Sequence, residues 1–114
     1  MLTIEKLNNY GANTIDGIKR CASNKDLYLR LVKTVPSNEG FKLLYDSIKN
    51  NDLNNAFTYA HGLKGILANL SLDPILKPII DITELLRNKE KIDYTNYINL
   101  IEEERKKLEN IINN

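Results

Sequence analysis

Leu53, Ala56, Ala60, Leu63, Leu67 and Leu70 recur at alternating spacings of three and four, the period that lays side chains along one stripe of an α-helix. Residues 53–69 are therefore predicted to form a helix with a buried seam. At about 100° of rotation per residue, the only histidine of the chain, His61, points roughly 130° away from the centre of that stripe. It belongs on the water side.

The surroundings expected for His61 are unusual for an exposed helix face. Gly65 stands one turn on, Thr58 one turn back, Gly62 beside it and Ala68 two turns on, and no bulky side chain is expected among them. Lys64 flanks the same surface at i+3. Each glycine inside a helix costs about 1 kcal/mol relative to alanine, and an exposed face has no packing reason to accept that cost. An imidazole, a nearby cation and a floor cleared of side chains describe a place where another macromolecule docks and delivers an anion. The plainer alternative is a surface histidine beside two accidental glycines.

The run Ala60-His61-Gly62-Leu63-Lys64-Gly65 resembles the signature of the histidine-containing phosphotransfer (HPt) domains of two-component phosphorelays. That signature is His-x-Leu-Lys-Gly on an exposed helix, preceded by a small residue and closed by Asn-Leu/Ile-Gly. The closing residues here are Asn69-Leu70-Ser71. Upstream, Gly17-Ile18-Lys19-Arg20, Asn24 and Leu27-Tyr28-Leu29-Arg30-Leu31 look like the first helices of the family, so the likeness covers nearly the whole chain. Ser71 departs from the usual glycine, and Ile66 and Leu67 stand where small residues are more common. Ile66 projects roughly 140° from His61 and is not expected to crowd the docking face.

The resemblance implies that His61 takes a phosphoryl group on a ring nitrogen, the outward Nε2, from the aspartyl phosphate of a receiver domain and passes it to the aspartate of another. A neutral imidazole is a good nucleophile near neutral pH. Phosphoryl transfer asks mainly for in-line positioning and stabilisation of charge on the equatorial oxygens. Lys64 supplies a cation, while magnesium and the remaining charge stabilisation are expected from the receiver. On this reading the chain is not an enzyme by itself but a carrier holding half of an active site. Gly62, Gly65, Thr58 and Ala68 form its docking surface. From their spacing one turn apart on the next helix, Thr83 and Arg87 are candidates to reach the His61 surface, and Arg87 reads equally well as a solvated helix-end cation that suits the macrodipole. The partners implied are response-regulator receiver domains and a sensor or hybrid histidine kinase, with the carrier expected to be a monomer.

The rest of the sequence bounds the alternatives. A chain of 114 residues supports one core and one domain, residues 1–114. Net charge is +1, with basic residues spread among acidic ones, so nucleic acid is not expected as a partner. One cysteine, Cys21, and one histidine leave no internal disulfide and no structural zinc site. Cys21 reads as a small core residue. No apolar run approaches the roughly 18 to 20 residues of a membrane span, and the amino terminus is not a signal peptide, so no membrane association and a cytoplasmic location are expected. Met1 and the lack of a trailing linker favour a small separate protein.

With five glycines and three prolines, and apolar residues at helical spacing almost throughout, no strands are expected. Short helices are predicted at 3–10, lying as a lid and stopped by Gly11, and at 14–21. Ser23 and Asp26 read as a capping box for the next helix, with Leu27, Tyr28, Leu31, Val32 and Val35 inward and its end near Pro36. A further helix is predicted over 37–49, with Asp52 as N-cap of the histidine helix. Asp73 is expected to cap a helix with Pro74 at its first position, with Pro78 disturbing its opening turns. Asp93 is expected to cap the last helix, on which Glu102–Lys106 and Glu103–Lys107 are spaced as ion pairs. The closing asparagines are expected to fray. The fold class is all-α, an antiparallel four-helix bundle with one or two extra short N-terminal helices.

Two rival functions are open. A non-relaying helical bundle that only docks receiver domains would have no need of the histidine. A metal-dependent helical enzyme needs more than one histidine or an inward carboxylate cluster, which the seams lack.

Overall fold

The seam of alternating three and four spacing becomes the central helix of the protein, described for residues 1–114 by a computed structural model. Seven helices and no strand make up the chain: α1 (Ile4–Tyr10), α2 (Thr14–Arg20), α3 (Lys25–Thr34), α4 (Gly40–Lys49), α5 (Leu53–Asn69), α6 (Asp73–Arg87) and α7 (Thr95–Asn113). Tight turns at 50–52 and 70–72 fold α4 and α6 back against α5, and α7 then packs on α6. One cluster of 22 buried residues runs through all of these contacts. Ala56, Ala60, Leu63 and Leu67 of α5 lie inside it, together with Leu44 of α4 and Ile75, Ile79, Ile82 and Leu86 of α6.

The amino-terminal helices lie outside this row. α1 rests on α7 and α2, burying Leu7 completely, and ends at Gly11, whose φ of 109° suits only glycine without strain. They are fastened to the far end of α5. Tyr28 is buried and its hydroxyl donates to the Leu70 carbonyl at 3.0 Å, the Asn13 N–H donates to the Ser71 carbonyl at 3.0 Å, and the Ser71 hydroxyl donates to the Asp16 carboxylate. A second fastening joins α7 to the other side. The Tyr45 hydroxyl donates to Glu102 Oε2 at 2.7 Å, and Arg105 bridges Glu102 and the Pro36 carbonyl. Arg105's hydrogen bond holds the Glu102 carboxyl below the usual carboxylate range.

Several local expectations need correction. Asn24, not Ser23, caps α3, accepting from the Leu27 N–H at 3.0 Å. Ala22 and Ser23 both turn through the left-handed region, at φ 56° and 57°, which moves the cap one residue on. Leu31 is 40% exposed, so it lies outside the core stripe of α3. α4 starts at Gly40 rather than 37, because the Asn38 side chain accepts the Gly40 N–H at 2.7 Å and closes a turn first. Asp73 is the first residue of α6, not its cap; Leu72 takes the cap position without a side-chain bond. Asp93 lies one residue before the cap of α7, yet its carboxylate accepts the Thr95 N–H at 2.9 Å. Glu102 pairs with Arg105 instead of Lys106, while Lys107 reaches Glu103 at 3.4 Å. Asn113 belongs to α7. Pro78 is buried, and α6 runs through it without a break. No helix is long and apolar enough to cross a membrane.

Candidate functional site

Asp52 opens α5 by accepting the Asn55 N–H at 3.2 Å, and from there the buried seam fixes which residues face out. His61, Gly62, Gly65 and Thr58 are exposed, while Lys64 and Ala68 are half-buried. A methyl group built on Gly62 or on Gly65 would meet nothing within 4 Å. The floor beside His61 is therefore open backbone. Thr58 turns its hydroxyl back onto the helix, donating to the Asn54 carbonyl at 3.2 Å. Lys64 has neither an ion pair nor a side-chain hydrogen bond, so its ammonium is uncommitted.

His61 also forms no side-chain hydrogen bond, and its one aromatic neighbour is Phe57, one turn back at i−4. The two ring centroids are 5.6 Å apart, tilted by 43°. Phe57 thus stands beside the small residues expected around the histidine, a neighbour the sequence reading does not name. Counting back three residues reaches Thr58; counting back four reaches Phe57, and both are helical neighbours. Phe57 is half-buried and packs against the core on one side. Arg87, from the end of α6, lies over it with Cζ 4.9 Å from the ring centroid and Nε 3.4 Å from Glu84.

Of the two α6 residues expected at this surface, Arg87 thus arrives through Phe57. Thr83 does not. It is fully buried, with its hydroxyl donating to the Ile79 carbonyl. A threonine that satisfies its oxygen within its own helix can occupy a core position at little cost. On the opposite flank a shallow groove runs between α4 and α5, bordered by Gly40, Leu43, Tyr59, Gly62, Leu63 and Ile66. Ile66 is 40% exposed and points into this groove, away from His61.

No family model, curated protein or solved structure matches this chain. The site presents a nucleophile, a free cation and a cleared approach on one convex helix face. A convex face of this kind encloses no small substrate.

Proposed function

We propose that this protein is a histidine phosphotransfer protein, accepting a phosphoryl group on His61 from one receiver-domain aspartate and handing it to another within a two-component phosphorelay. One observation carries the reading: His61 is exposed at mid-helix over Gly62 and Gly65, where a side chain would meet nothing, with Lys64 free alongside. In this reading α4 to α7 form the antiparallel four-helix bundle of the family, with α1 to α3 as additions at its end. The carrier works in the cytoplasm, where its receivers and kinase reside.

The transfer is a displacement at phosphorus. The lone pair of the outward imidazole nitrogen forms the N–P bond as the acyl O–P bond breaks, and the aspartate leaves with the bonding pair as a carboxylate. The proton on the other ring nitrogen stays in place. Lys64 offsets charge on the equatorial oxygens, and the receiver's magnesium supplies the remainder. Reversal of these steps on a second receiver discharges the histidine.

Receiver domains carrying labelled aspartyl phosphate, tested one by one as a panel, provide the direct assay. Label is expected on the wild type, acid-labile and alkali-stable, and is expected to be absent from His61→Gln. Equal labelling of the variant, or no transfer from any receiver, overturns the proposal.

A further inference from the structure

The role of Phe57 follows from the absence of any other restraint on His61. An exposed side chain on a helix samples several rotamers, and a hydrogen bond is the usual means of selecting one. His61 has none. What it has is the tilted ring of Phe57 at 5.6 Å. That ring is itself held twice, by the core on one side and by the Arg87 guanidinium at 4.9 Å. A residue anchored in this way is a fixed wall. The imidazole resting against it loses the rotations that would swing it over α6.

We infer that Phe57, clamped by Arg87, is a positioning residue that orients the His61 ring for in-line transfer from a docked donor. The inference rests on the phosphotransfer reading. In-line attack tolerates little angular error, and a wall that removes wrong rotamers raises the fraction of docked complexes ready to react. Aromatic pairs of this kind shift a population by about two- to tenfold. In this role Phe57 acts through the imidazole alone, which is what the choice of donors tests.

A donor that needs no docking separates positioning from simple structural damage. Phosphoramidate, a small freely diffusing phosphoryl donor, can approach His61 in whichever rotamer it finds it. Phe57→Leu keeps an apolar side chain against the core and removes the aromatic wall. With a saturating phosphorylated receiver, this variant is expected to transfer about two- to tenfold more slowly than wild type. Its half-saturating receiver concentration and its rate with phosphoramidate are expected to stay unchanged. Phe57→Tyr restores the rate. In NMR spectra the wild-type His61 ring protons are expected to show Phe57 contacts and a ring-current displacement, both lost in Phe57→Leu. Equal receiver-driven rates in wild type and Phe57→Leu overturn the assignment, and so does a parallel fall with both donors. A wild type that no receiver phosphorylates removes the phosphotransfer reading and this inference with it; a labelled wild type matched by the leucine variant removes this inference alone.

Discussion

Two helical glycines, Gly17 in α2 and Gly65 in α5, meet opposite surroundings. A Cβ on Gly17 would stand 2.4 Å from a ring carbon of Tyr28 and 2.8 Å from the Leu70 carbonyl oxygen. The same atom on Gly65 meets nothing. At Gly17 the missing side chain lets the protein's own elements close on one another, so that Tyr28 can reach the end of α5. At Gly65 nothing of the protein uses the space. The helix carries the cost of a glycine there without any return in packing, and the proposed docking of a receiver would use the open space.

Substituting the two should therefore have opposite effects on folding. Gly17→Val forces the Tyr28 ring and the Leu70 backbone apart and is expected to cost about 1–3 kcal/mol, as overpacking of a close contact does. Urea denaturation should show a lower midpoint for it. A midpoint equal to that of wild type would mean that the contact yields freely, and the distinction between the two glycines would collapse.

The contrast also explains which parts of the structure were legible beforehand. The seam of α5 could be read because burial follows a period, and Ala56, Ala60, Leu63 and Leu67 all sit on it. An outward position for His61 follows from the same count. Gly17 carried no such mark, since its reason is a contact with Tyr28 and Leu70 across three elements. Thr83 misled because a hydroxyl looks exposed in sequence, although its own helix can satisfy it. Phe57 carries no mark for a different reason: an apolar residue half in the core reads as packing, and that its other half faces His61 depends on the fold. The cap of α3 lies one residue on because the preceding turn holds two consecutive left-handed residues, Ala22 and Ser23.

The hydroxyl of Tyr28 sharpens the packed side of the comparison. It is the partner of the Leu70 carbonyl, and burial raises its pKa to about 12, so it remains a donor across the working range. Tyr28→Phe strands that carbonyl and is expected to cost about 1–2 kcal/mol, read as a drop in melting temperature. Phosphotransfer at 25 °C should be unaffected, because His61 lies on the other face of α5. A variant that folds as wild type but transfers poorly would link the two regions and spoil the separation.

On the open side the expected sign is reversed. Gly65→Ala should raise stability by up to about 1 kcal/mol through helix propensity alone. Gly65→Leu should keep the helix content of wild type or slightly exceed it while suppressing transfer from a phosphorylated receiver, since the new side chain occupies the approach to His61. Undiminished transfer by the leucine variant would show that nothing needs the space.

The smallest effect belongs to Ser71, which joins the two regions at the end of α5. Its φ of 51° lies in the left-handed region, where a non-glycine residue carries about 1–2 kcal/mol of strain. Glycine would relieve that strain but would remove the hydroxyl that donates to Asp16. This hydrogen bond, followed by that of Arg20, holds the Asp16 carboxyl below its usual range. A depressed carboxylate contributes stability above the unfolded pKa of about 4 and loses it as the pH falls through the folded value. Ser71→Gly should consequently melt close to wild type at pH 7, where relief of strain and loss of the hydrogen bond oppose each other. At pH 3 and below the wild type is losing its advantage from Asp16, and the variant should become the more stable of the two. Melting curves at both pH values decide the matter: a difference that does not move with pH would show that the hydroxyl contributes nothing, leaving Ser71 as an unrelieved strain in a position that glycine fills better.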